Sequence, residues 1–261
     1  MEHQPRSIPE MAEREKQLVF AAAERYPRYY PHAENATLLF SNFLKSIDRD
    51  RFVFAMFLSL AKKHHTLALL STVRLHRVQA MMDLRQVLEA GASAAFAIAN
   101  PEQEHFVQTD DLGILEASQK LAKKRHAWLD EHYPGGSKFI KREKEIINPL
   151  MAHANLLAAQ INFETNHQRG SFEMNFFDAE DAYLVKSDLW LVGNIAIGLL
   201  ELFYGVNQGP GVIKFADEFE SRLSKLSDES ETLAEEMKQD ERYRQTEQFL
   251  QAASSTAPDV P

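Results

Sequence analysis

AENATLLFSNFLKSIDRDRFVFAMFLSLAKKHHTLALLSTVRLHRVQAMMDLRQVLEA, residues 33–90, runs for fifty-eight residues without a glycine or a proline. These two residue types are the strongest breakers of helix, so the segment can hold several turns of uninterrupted helix. Its apolar residues recur at helical spacing: Val53, Met56, Phe57, Leu60, Leu67 and Ser71 share a stripe, with Asp48 as an N-cap. A helix near Glu34 to Ser46 precedes it, and one near His76 to Ala99 follows, ending at Asn100-Pro101 where the residue before proline disfavours helix. Arg74-Leu75-His76-Arg77 holds no breaker, so one long bent helix fits the pattern too. A compact chain favours the hairpin.

The same periodicity extends outward on both sides. A first helix is expected near Glu10 to Arg25, stopped by Pro27 and Pro31. A fifth is expected near Asp111 to His132, ending at the turn Tyr133-Pro134-Gly135-Gly136. A sixth, near Phe139 to Phe163, is interrupted at Asn148-Pro149, a cap followed by proline at the first helical position. Ser171 to Phe177 alternates and reads as a short extended segment or a hairpin. A seventh helix covers Ala179 to Tyr204. An eighth, from Val212 to Leu250, carries a heptad stripe of Ala216, Phe219, Leu223, Leu226, Leu233 and Met237, broken by Ser230. The reading is all-α: a helical bundle of about seven to eight helices, with at most one extended segment near 171–177. It divides into a flexible tail at 1–9, one domain at 10–225, and an acidic helical extension with a disordered tail at 226–261.

Composition narrows the chemistry. Among 261 residues there is no Cys, which removes disulfide frameworks, thiol nucleophiles and thiolate metal sites. The N-terminus carries no apolar stretch of signal-peptide type, and the most apolar run, Leu189 to Tyr204, is shorter than the ~20 residues a bilayer span needs. The expectation is a cytoplasmic protein with no membrane association. No phosphate loop or dinucleotide fingerprint occurs, so no nucleotide cofactor, or any other cofactor, is indicated. The net charge is −9, unevenly spread. Residues 226–261 hold nine acids and three bases, whereas Lys120 to Glu145 holds eight Lys/Arg against four acids and Lys62 to Arg85 holds five against one. Such basic stretches are either solvated helix faces or a nucleic-acid footprint, depending on whether they share a face.

Several residues carry candidate chemistry. Arg85 and Glu89 lie on a helix that is apolar nearly all round, so the pair should be buried and bonded to other helices. It is either a structural ion pair or part of a polar site. His153, one turn into the helix after Pro149, sits at the edge of an apolar face as a core histidine or a base. His64 and His65 point about 100° apart and cannot share one metal. The Glu-x-x-His pairs Glu102–His105 and Glu164–His167 fall at a helix boundary and in a loop, so no metal site is assigned.

Arg85-Gln-Val-Leu-Glu89-Ala, followed by Asn148-Pro-Leu-Met-Ala-His153-Ala-Asn155, resembles a group of bacterial all-α proteins similar to the HEPN and abortive-infection class. The resemblance covers roughly residues 50–205. It implies a HEPN-like bundle, a homodimer and, in catalytic relatives, a metal-independent ribonuclease of defence or toxin systems. On that reading Arg85, Glu89 and His153 are the catalytic candidates, and Asn148, Arg125 and His132 are binding candidates. Catalytic members separate an Arg from a His by four to six residues. His153 departs from this, its nearest upstream Arg being Arg142, eleven residues away, while Arg125 and His132 fit. The departure favours a non-catalytic interaction module, with an RNA-cleaving or RNA-binding protein as the alternative. The heptad stripe of the last helix must dock on the domain or pair with a second copy, and the homodimer is the expectation carried forward.

Overall fold

The computed structural model describes residues 7–109, 115–116, 119–151, 159, 163–166 and 171–245. Among them are eight α-helices: α1 Ile8–Arg25, α2 Tyr29–Asn42, α3 Phe52–Val73, α4 Arg77–Ala99, α5 Gln119–His132, α6 Pro134–Met151, α7 Ala182–Asn207 and α8 Phe219–Lys238. The fold is an all-α bundle. The extended segment expected near 171–177 is a strand, Ser171–Met174, paired antiparallel with Phe163–Asn166. Two further ribbons go beyond the one segment expected. Leu44–Ile47 pairs with Ile213–Phe215, and Gln108–Thr109 with Leu115–Glu116. Each is a loop satisfying its backbone groups against another loop, and two to four residues are too few for a period-2 signal.

Helix boundaries moved where local chemistry outweighed pattern. Pro31 does not stop a helix but sits in the first turn of α2, where its missing N–H would be unpaired anyway. At the other end of α2, the strand Leu44–Ile47 takes the residues assigned to the helix's last turn. Pro134 opens α6 directly after α5, so the Pro-Gly-Gly turn is itself the first turn of a helix. That helix runs on through Asn148-Pro149 to Met151 rather than breaking there.

The hairpin between α3 and α4 is real, and it turns without glycine or proline. Leu75 takes φ 63°. The N–H of His76 donates to the carbonyl of Ser71 at 2.9 Å, and that of Leu75 to Thr72 at 3.2 Å. This is the bond pair of a Schellman cap, with leucine in the left-handed position usually held by glycine. Such a backbone costs a leucine roughly 1–2 kcal/mol, and its buried side chain offsets part of that cost.

The core is built around α7. It is long and apolar enough to cross a membrane, yet 67% of its most apolar window is buried inside the protein, which makes it a core helix. Helices α2, α3, α4, α6 and α8 all pack against it. Close approach is achieved with glycine. A Cβ at Gly198 would lie 2.3 Å from the ring of Phe139 on α6, and one at Gly193 would lie 2.8 Å from His32 on α2. At one end of the core Phe203 meets Phe40, Phe43 and Phe54 with ring centroids 5.8–6.3 Å apart.

Helix α8 docks on this core in one piece, straight through position 225. Phe219, Leu223, Leu226 and Leu233 are buried. Trp190 Nε1 donates to the carbonyl of Ser230 at 2.9 Å, so the serine that interrupts the heptad contributes a docking bond through its backbone. The heptad stripe is therefore consumed within the chain and gives no support to a homodimer. Because α8 shares the core, Leu233→Ala should lower the stability of the whole protein by ~2–5 kcal/mol in a single denaturation transition. A separate early transition for the variant would show α8 to be an independent appendage.

Candidate functional site

Helices α4 and α6 pack against each other, and their polar residues match in opposite order. Arg85 Nη1 donates to Asn148 Oδ1, and one helical turn further along α4 Glu89 meets Lys144, one turn earlier on α6. Two side chains at i,i+4 on one helix thus face two at i,i+4 on its neighbour. The Lys144 ammonium lies 2.6 Å from Glu89 Oε1, and His126 Nε2 on α5 lies 3.6 Å from Oε2. The His126 ring and the Lys144 ammonium hold the Glu89 carboxyl at about 2, against the upward push of burial.

The structure brings together Arg85, Glu89 and Asn148, and Arg85 and Glu89 bond to other helices as expected. Their expected burial is corrected: both are half-buried, with 41% of the Glu89 side chain exposed. The neighbouring stripe of Met81, Leu84, Leu88 and Ala95 takes the core-facing side, which leaves Arg85 and Glu89 at the edge where the α5–α6 hairpin lies over α4.

Arg125 belongs to the same cluster. Its guanidinium donates to the carbonyl of His105 at 3.1 Å and lies 5.1 Å from the centre of the Phe106 ring. Burial pulls its pKa down and the Glu89 carboxylate pulls it back up. His132 does not join the cluster. It stacks on Trp128, with ring centroids 4.9 Å apart, and its Nδ1 lies 3.0 Å from the Trp128 carbonyl. His153 and His167 lie outside the described residues, and so do the contacts of Glu164. Glu102 reaches His105 at 3.4 Å. Among the described residues no three His, Asp or Glu side chains are grouped to hold a metal.

Around this cluster the α5–α6 hairpin presents exposed cations: Lys123, Lys124, Lys138, Lys141 and Arg142. Lys141 pairs with Asp130 at 2.5 Å, and Arg142 with Glu143 at 2.5 Å. His126 and Lys144 were missed as partners of Glu89. The available signal was a pair of polar residues at i,i+4 on each helix, Arg85/Glu89 and Lys144/Asn148, complementary when read in opposite order.

The buried ion pair expected of Arg85 and Glu89 exists elsewhere, between Arg77 at the start of α4 and Asp188 on α7. Arg77 Nε lies 2.8 Å from Asp188 Oδ2, and Nη2 donates to Oδ1 at 3.1 Å. Burial pushes the Asp188 carboxyl up to about 6, against the pull of Arg77. His65 is sealed in the core with Nε2 at 2.9 Å from the Val192 carbonyl, and burial drives it down to about 4. His64 Nδ1 instead lies 2.7 Å from Asp83 Oδ1.

No family model, curated protein or solved structure matches the chain.

Two outcomes separate the two arginine sites. Arg77→Met leaves a carboxyl stranded in the core and should cost roughly 3–5 kcal/mol, whereas Arg85→Met at the half-open seam should cost less than about 1 kcal/mol. Equal losses on urea denaturation would mean the two sites are equally buried. Glu89, whose folded pKa is depressed, stabilises the protein above about pH 4.5, and that contribution is lost as pH falls toward 2. With the exposed half of the carboxylate screened by solvent, the effect is ~1 kcal/mol. The stability gap between wild type and Glu89→Gln should close over that window; a gap independent of pH would show that the carboxylate charge contributes nothing.

Proposed function

We propose that the protein is a non-catalytic helical interaction module of HEPN-like type, and that the face formed by α4 and the α5–α6 hairpin binds RNA. The observation that carries this reading is the distribution of charge. A chain of net charge −9 concentrates eight Lys/Arg against four acids between Lys120 and Glu145. Helices α5 and α6 pack side by side there, with six of those cations, Lys120 among them, exposed on the hairpin. Phosphate backbones are held by such clustered cations through counterion release, without base contacts. Arg85 supplies a guanidinium at the centre, half-open to solvent and oriented by Asn148. Glu89 is spent on Lys144 and His126, so its charge faces cations rather than an incoming phosphate.

Binding of a fluorescent single-stranded RNA should weaken steeply between about 50 and 200 mM salt. Lys123→Glu/Lys124→Glu should weaken it at least ~10-fold and flatten the salt slope by ~1–2 units. Lys225→Glu, on the acidic helix α8, should leave it unchanged. A wild type that ignores RNA at low salt, or equal losses in all variants, would remove the proposal.

A ribonuclease is the second reading, favoured by the Arg85–Asn148 bond. Asn148 precedes His153 by five residues, which ties the guanidinium to the chain leading into the candidate base. In that chemistry His153 takes the proton of the ribose 2′-hydroxyl and Arg85 stabilises the phosphorane charge. It requires RNA cleavage in EDTA that His153→Ala abolishes while the fold persists.

A further inference from the structure

At the turn between α5 and α6, a cleft of about 500 Å³ opens between the start of α6 and the second half of α7. The two helices touch through glycine on each side: a Cβ at Gly136 would lie 2.6 Å from Leu202, as one at Gly198 would run into Phe139. Gly135 and Gly205 also border the cleft, yet a Cβ at either would meet no atom within 4 Å. Both sit inside helices, where glycine is a poor choice. The packing among the described residues makes no use of their bareness, so what they preserve is the width of the cleft.

The chemistry of the walls selects the occupant. His132, Tyr133 and Phe139 supply aromatic rings, and one face of the His132 ring already lies on Trp128. Glu201, on the same face of α7 as Gly198 and Gly205, is the one carboxylate bordering the cleft among the described residues. It accepts a hydrogen bond from Ser227 Oγ at 3.5 Å, and among the described residues no cation pairs with it. Burial, with Glu231 nearby, pushes its carboxyl above the usual range. An acceptor-only group beside aromatic rings matches a flat ligand with N–H donors on its edge. A small ammonium ion is the poorer match, because the first turn of α6 brings the positive end of its helix dipole to the same cleft. Of the four RNA bases only guanine sets two donors, N1–H and N2–H2, side by side, where one carboxylate takes both. The basic hairpin leads into the cleft: Arg142, one of its exposed cations, lies 5.6 Å from the centre of the Phe139 ring.

We propose that this cleft takes a guanine base, stacked on the aromatic wall and held at Glu201 by its N1–H and N2–H2 edge. That the base arrives on a single strand of RNA rests on the RNA-binding reading of the basic hairpin; the preference for guanine rests on the cleft. The hairpin holds phosphates whatever the sequence, and the cleft adds the discrimination.

A short uridine strand with one central guanosine should bind ~10-fold tighter than the same strand with adenosine in its place. Glu201→Gln, which exchanges an acceptor for a donor, should abolish that preference. Gly205→Leu should abolish it too by filling the cleft, with unchanged helical circular dichroism. Gly209→Leu, equally free of neighbours but outside the cleft, should keep it. Equilibrium dialysis should retain guanosine monophosphate and not adenosine monophosphate. Equal binding of the two strands, or a preference that survives both cleft variants, would overturn the inference and leave RNA binding by the hairpin standing. A wild type that ignores RNA but retains guanosine monophosphate, lost in Glu201→Gln, would keep the guanine site and remove RNA as its carrier. Retention of neither ligand would overturn the inference together with the RNA-binding reading.

Discussion

The reversal of the chain at Arg74–Arg77 sets the position of most other elements. Leu75 adopts a left-handed backbone that leucine disfavours, and such a conformation persists only when its surroundings over-determine it. Here they do so from three directions. His76 packs against Phe176 and Phe177, with ring centroids 5.0 and 5.4 Å away, and reaches Glu15 of α1 at 2.9 Å. The Asp178 N–H donates to the Leu75 carbonyl at 2.9 Å, and the Asp178 carboxylate accepts the Arg77 N–H at 2.5 Å. Arg77 then locks onto Asp188 of α7. One turn thereby fixes the α3–α4 hairpin and ties it to α1, to the loop before α7 and to the central helix itself.

The two arginines of α4 show how position decides the role of a charge. Arg77 faces the core helix, where losing it would strand the buried Asp188 carboxyl in low dielectric. Arg85, two turns later, faces the seam with α6, where water still reaches the guanidinium and an amide suffices as partner. The first holds the architecture together.

The surface is divided among three characters: an acidic helix docked on the core, a basic hairpin at α5–α6, and an apolar outer face on α3. Charge is cheap to leave in water and apolar area is not.

The amino-acid sequence by itself left residues 49–99 open between a hairpin and one long helix, and determined the all-α class, the number of long helices and the burial of the 182–207 helix. Each of these rests on composition and 3.6-residue periodicity, which are local and repeated many times over. The ends of α2 and α6 were not legible, because a proline reads the same whether it stops a helix or opens one, and only the neighbouring backbone distinguishes the two. Nor were the strands at Leu44–Ile47 and Ile213–Phe215, each too short to carry a period. Arg85, Glu89 and Asn148 stood out as polar residues on apolar or capping positions, and the tertiary structure did bring them together. Who pairs with whom was another matter. Glu89 with Lys144 and His126, Arg77 with Asp188, and α8 with the core rather than a second copy depend on which helix faces lie against each other. That choice belongs to packing across the whole chain, since a helix's own sequence states which face seeks cover but not what will cover it.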